Sequence, residues 1–208
     1  MFSLAYEFDD TIEIDGFKGS VDMSFDNILR LFDLLADTSI NTVAKLDTAL
    51  EMLLSASFLC DYQLRSDIFQ GILQEFVLKE KPTLGSGSEK ESKQYYSLIE
   101  DADFIFASFM QDYGIDLFDY QGKMHWKKFK ALLAGLREDT KFKKVIEIRM
   151  WEPTKDTGAE EKRNMQELQR TYALGVTQEM IEFESLSEEE KEAFARKKYE
   201  EEIGKEGG

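Results

Sequence analysis

The sequence predicts a mainly α fold, a helical bundle carrying a short N-terminal β-hairpin. Apolar residues recur at three- and four-residue spacing through most of the 208 residues. Asp15-Gly16, a strong two-residue turn signal, separates two alternating runs near the N-terminus. The run from Asp101 to Trp151 is the densest aromatic stretch in a chain with 16 Phe, and it is where the core is expected.

Residues 8–23 read as the hairpin, with Asp15-Gly16 as a type I′ turn that pairs Ile14 with Phe17 and Ile12 with Gly19. That register gathers Ile12, Ile14, Phe17, Val21 and Met23 on one face and Thr11, Glu13, Lys18, Ser20 and Asp22 on the other. An isolated hairpin is marginal in water, so the apolar face must pack on the helices that follow or on another subunit.

From Ser24, a candidate N-cap, the period becomes helical, with a stripe of Ile28, Leu31, Phe32 and Leu35 that ends at Asp37-Thr38-Ser39. Asn41 caps a second helix bearing Val43, Leu46, Leu50, Leu53 and Leu54. A third spans about Gln63 to Lys79, with Ile68, Ile72, Leu73, Phe76 and Val77. Pro82 to Ser92 has proline, glycines, serines and no periodicity, and reads as a flexible loop inside one body.

Three further helices fit the central run. Their stripes are Phe104, Ile105, Ser108 and Phe109; then Trp126, Phe129, Leu132, Leu133 and Leu136; then Phe142, Val145, Ile146 and Met150. Gly114 suits a C-cap, Gly122 precedes the second helix, and Thr140 is placed to cap the third. Beyond Pro153 and Gly158, a helix from about Ala159 to Leu174 has a thin apolar line of Met165, Leu168 and Tyr172. Ser187 and Glu190 form a capping box before a final helix over about 188–203. The expected organisation is a helical body over 1–151, with hairpin 8–23 and loop 82–92, and a peripheral acidic helical tail over 152–208.

Composition narrows the function. A net charge of −16 argues against nucleic acid and acidic membrane surfaces as partners. No run of eighteen apolar residues occurs, and MFSLAYEFDD has no basic leader region, so neither a membrane span nor a signal peptide is expected. A single cysteine, Cys60, suits a reducing compartment and reads as a small hydrophobe. Charge is segregated: between Lys123 and Arg149, nine Lys and Arg face only Glu138, Asp139 and Glu147. A cationic centre between acidic ends suits self-association or a charged partner, although solvated helix faces are also commonly charged.

No phosphate loop, dinucleotide fingerprint, CxxC, HExxH or GxSxG motif is present, and neither a catalytic residue nor a cofactor is expected. His125, the one histidine, reads as a structural hydrogen-bonding residue beside the core anchor Trp126. Asp112, Asp116 and Asp119 form the compact carboxylate group, but their spacing fits no standard cation loop, and helix capping uses aspartates in the same way. Arg149 suits the C-terminal end of a helix.

The runs DADFIFASFMQDYGIDL, MHWKKFKALLAGL and IEIRMW, together with FSLAYEFDDTIEIDGFKGSVDMSFDNILRLFDLL, resemble a family of small tail-region proteins from siphophages of Gram-positive bacteria. The resemblance covers most of residues 1 to about 174, and an arginine recurs in the family at the position of Arg149. In that family the gene lies between those of the major tail protein and the tape measure. It implies a non-enzymatic tail assembly chaperone in the host bacterial cytoplasm, with the tape-measure protein and other tail assembly proteins as partners, and possible homo-oligomers. A structural tail or neck subunit is the alternative. The expected contact surfaces are Lys123, Lys127, Lys128, Lys130, Arg137, Lys141 and Lys144 in the basic region, and Met165, Leu168 and Tyr172 on the later helix.

Overall fold

The computed structural model describes residues 4–54, 61–78 and 95–175. Cys60, the 82–92 loop, the Ser187–Glu190 capping box and the 188–203 helix lie outside them. Two compact units divide the chain, Met1–Met150 and Trp151–Gly208.

The fold is mainly α with a short antiparallel hairpin. Strands β1 (Thr11–Ile14) and β2 (Phe17–Ser20) pair with Ile12 opposite Gly19 and Ile14 opposite Phe17. Asp15 and Gly16 have φ of 47° and 82°, the two left-handed positions of a type I′ turn. Ile12, Val21 and Met23 are buried, while Ile14 and Phe17 pack at the edge of the core. Their landing site is Gly71, where a Cβ would collide with the Ile14 side chain. Glycine costs stability inside a helix, and here it allows the hairpin to approach closely.

Helices α1 (Phe25–Ala36), α2 (Thr42–Leu54) and α3 (Tyr62–Ile72) follow, each packed on its neighbour in the chain. Asn41 Oδ1 accepts Ala44 N–H at 2.9 Å, and Asp61 Oδ1 caps α3 through Leu64 N–H at 2.9 Å. Ser24 stands at the start of α1, but its hydroxyl makes no cap bond. Its backbone N–H is instead taken by Asp22 Oδ1 at 2.9 Å. The third helix is not regular over all of its described length. After Ile72 the backbone widens into a π-helical turn, Leu73–Leu78. The smaller angular advance per residue brings Phe76 back into line with Ile68 and Ile72, and Phe76 and Val77 are both buried.

The central run forms α4 (Ala102–Tyr113), α5 (Trp126–Ala134) and α6 (Lys141–Met150). Helix α4 packs against both α5 and α6, and α5 packs against α1. Gly114 closes α4 in the left-handed conformation, φ 62°. Thr140 is buried, and its hydroxyl donates to Arg137 O at 2.7 Å, so its side chain is directed to the preceding turn. A first-turn N–H of α6 is met from another helix: Ser108 Oγ in α4 accepts Phe142 N–H at 3.0 Å and donates to Phe104 O at 2.6 Å. Between α4 and α5 a short 3-10 turn, Leu117–Tyr120, is capped by Asp116, whose Oδ1 accepts Phe118 N–H at 2.9 Å.

One core joins the hairpin, α1–α3 and α4–α6. Phe129 is its aromatic hub, stacked on Phe25 of α1 at 5.0 Å, Phe109 of α4 at 5.4 Å and Trp126 at 5.6 Å. Backbone bonds cross at the same place, with Trp126 N–H on Met23 O at 2.7 Å and Phe25 N–H on Met124 O at 2.9 Å. Asn27 is buried and donates to Asp22 O at 3.1 Å and to Met52 O at 2.9 Å, occupying a carbonyl near the end of α2.

In the second unit, α7 (Ala159–Thr171) ends before Leu174 and buries none of its residues. Gln169 Nε2 donates to Trp151 O at 2.8 Å, which ties α7 to the start of its own unit.

Candidate partner-binding surfaces

Lys127, Lys128 and Lys130 of α5 and Lys141 and Lys144 of α6 fall on the outer sides of their helices because Trp126, Phe129 and Leu133, and Phe142, Val145 and Ile146, turn inward. Lys128 and Lys144 are exposed. Three others are laid over aromatic rings: Lys127 over Phe8 at 5.6 Å, Lys130 over Trp126 at 5.5 Å and Lys141 over Phe104 at 5.5 Å. Lys123 Nζ bonds Asp119 O at 2.8 Å. The α5–α6 face therefore carries positive charge held close to the protein by ring faces and carbonyls.

Arg137 has a structural bond as well as an exposed side chain. Its Nε and backbone N–H both reach Asp112, at 2.8 Å each, and the Asp112 side chain is 3% exposed. The Arg137 backbone N–H, helped by its guanidinium, holds the Asp112 carboxyl below its ordinary pKa against the opposing effect of burial. Asp116 caps the 3-10 turn, and Asp119 offers its backbone oxygen to Lys123. Two of the three aspartates thus have separate local hydrogen-bonding partners for their carboxylates, and among the described residues no group of three His, Cys, Asp or Glu is placed to hold a metal.

His125 is built into the fold at the start of α5. Its Nδ1 accepts Lys127 N–H at 3.0 Å, so Nε2 carries the proton and donates to Asp10 Oδ1 at 3.0 Å. The ring stacks on Phe8 with centroids 3.9 Å apart.

Arg149 does more than sit at a helix end. It makes a bidentate pair with Asp101 at 2.6 and 2.7 Å and also donates to Tyr95 O at 3.1 Å. Sequence reading placed Ser108 on the core-facing stripe of α4 without its bonding role, and it missed the roles of Asp101 and Asn27. The available signal was a polar residue at a core-facing helical position, which Ser108 and Asn27 both show.

Met165 on α7 and Tyr172, its C-cap residue, are half-buried, and Leu168 is exposed. Lys162, Arg163 and Arg170 share this helix with Glu160, Glu161 and Glu167, so its apolar line lies within mixed charge. No helix among the described residues is long and apolar enough to cross a membrane.

No curated protein matches the chain, nor does any solved structure. A family model described as Bacteriophage Gp15 protein matches residues 7–174, which runs from before the hairpin to just past α7. The chain therefore belongs to the bacteriophage Gp15 protein family.

Proposed function

We propose that this bacteriophage protein is a non-enzymatic tail assembly chaperone of siphophages of Gram-positive bacteria. It escorts the tape-measure protein in the host cytoplasm until the tail tube forms around it. The observation that carries the reading is α7, a regular helix with an apolar line of Met165, Leu168 and Tyr172 and no buried residue. A chaperone for a long helical client needs weak, repeated contacts, and a half-open apolar line amid mixed charge supplies contacts of that kind. The lysines of α5 and α6 add a second contact surface, suited to acidic stretches of a client. The resemblance of the hairpin and the central run to tail-region proteins supports the same setting.

Co-expression tests it. The tape-measure protein should become soluble with this chain and co-purify with it, and the pair Met165→Ser and Leu168→Ser should weaken that rescue. Equal solubility without this chain would sink the reading. A structural tail or neck subunit is the second reading, because membership of a bacteriophage protein family over residues 7–174 is compatible with either role. Mass spectrometry of purified virions separates them, since a chaperone is absent from finished particles and a subunit is present.

A further inference from the structure

We propose that Phe106, Met110 and Phe118 form a docking face for a basic amphipathic α-helix, one that presents large apolar residues at helical spacing between Lys or Arg side chains. Phe106 and Met110 stand four residues apart on one side of α4, and Met110 is 44% exposed. Ile99, in the turn that leads into α4, is also exposed. Phe118 closes the face from the 3-10 turn. Its ring lies 5.5 Å from that of Phe106, and it is 69% exposed.

A single exposed apolar side chain is ordinary. This one is held out by a turn fixed at several points. Leu117 is buried beneath it, Asp116 Oδ1 accepts Phe118 N–H, and Tyr120 O accepts Lys123 N–H at 3.1 Å and Met124 N–H at 3.0 Å. Just beyond, Gly122 N–H is anchored on Asp26 Oδ1 at 2.8 Å, in a left-handed conformation of φ 67°. An aromatic side chain on a backbone already ordered loses little freedom on binding, and such residues dominate interface energetics.

Charge selects the partner. Asp103 on α4 and Asp119 in the 3-10 turn lie on the two elements that build the face, Glu100 and Asp116 stand just before those elements, and Lys123 is a neighbouring cation with its Nζ on Asp119 O. A helix flanked by Lys or Arg is attracted here, and an acidic helix is repelled. The face is built from residues other than those of the basic α5–α6 surface, and it would serve a retained virion subunit as well as a chaperone.

The test is fluorescence anisotropy with the full chain and a labelled Leu/Lys amphipathic peptide of about eighteen residues, long enough to form a helix on contact. A Ser/Lys peptide of equal length and charge is the control. The Leu/Lys peptide should bind, the control should not, and Phe118→Ser and Met110→Ser should each weaken binding about tenfold or more. Asp119→Lys should weaken it, and the same charge change at Glu51, exposed on α2, should leave it unchanged. Both Ser variants alter exposed side chains, and unchanged circular dichroism confirms their fold. Wild-type affinity in both Ser variants overturns the proposal, as does equal binding of the Ser/Lys control. Dimerisation of the free chain in sedimentation equilibrium, lost in Phe118→Ser, overturns it in favour of a second copy as occupant.

Discussion

Asp101 and Arg149 meet in a bidentate ion pair at 2.6 and 2.7 Å, with 1% and 9% of their side chains exposed. The pair joins the start of α4 to the end of α6, and Asp101 Oδ2 also accepts Ser97 N–H at 2.9 Å. Removing one partner strands the other charge in the interior. Arg149→Met should cost about 3–5 kcal/mol, read as a lowered urea midpoint. Asp101→Leu combined with Arg149→Met should regain a large part of that loss, because the stranded charge is then gone. Equal stability of the single and double variants would show that the pair is not the source of the loss.

Ser108 is fully buried and links two helices through one oxygen, with Phe104 O and Phe142 N–H as its partners. Ser108→Ala leaves the Phe142 N–H without its acceptor in a dry core. The expected loss is about 1–3 kcal/mol. Hydrogen exchange should show the first turn of α6 opening faster, by more than the amides of α1 and α2, which follow only the change in global stability.

Asp112 supplies a pH dependence whose sign is fixed by its environment. The Arg137 backbone N–H and then its guanidinium favour the ionised carboxylate, so the folded pKa lies below the unfolded value of about 3.9. The stabilisation is therefore present above pH about 4 and is lost as pH falls through the folded pKa. In Asp112→Asn the acid limb of stability against pH should be shallower than in the wild type, with the two curves converging at low pH. An unchanged acid limb in the variant would exclude Asp112 as a contributor.

The hairpin and most helices were legible because each signal is local. Asp15-Gly16 determines its own turn, the alternation beside it sets the register, and a stripe such as Leu46, Leu50 and Leu53 reports one face of one helix. Contacts between distant residues leave no such period. Asp101 and Arg149 are 48 residues apart, and Arg137 and Asp112 are 25 apart. The π-helical turn after Ile72 was hidden for another reason: Leu73, Phe76 and Val77 satisfy a regular helical stripe, and the rotation that buries Phe76 and Val77 together depends on the core they meet. Of the candidate contact residues, the sequence placed the lysines on outward helix faces. It could not show that Arg137 is bonded to Asp112 or that Lys127, Lys130 and Lys141 lie over rings.

His125 gives a test of how the N-terminal segment is attached. One ring nitrogen caps α5 through Lys127 N–H and the other bonds Asp10, while the ring stacks on Phe8. Asparagine can still accept the cap bond but cannot reach both partners or stack as an aromatic ring. His125→Asn should therefore keep α5 capped and loosen residues 4–10, whereas His125→Ala should do both kinds of damage, with a further loss of about 1 kcal/mol from the missing cap. Amide exchange separates the two: faster exchange near Asp10 in both variants, and faster exchange at Lys127 only in His125→Ala. A double-mutant cycle with Asp10→Ala should return a coupling of about 0.5 kcal/mol or more, since the two residues share a partly buried bond. Zero coupling would mean that the His125–Asp10 bond does not hold the segment, leaving Phe8 stacking and the Val21 N–H bond to Asp10 O to do so.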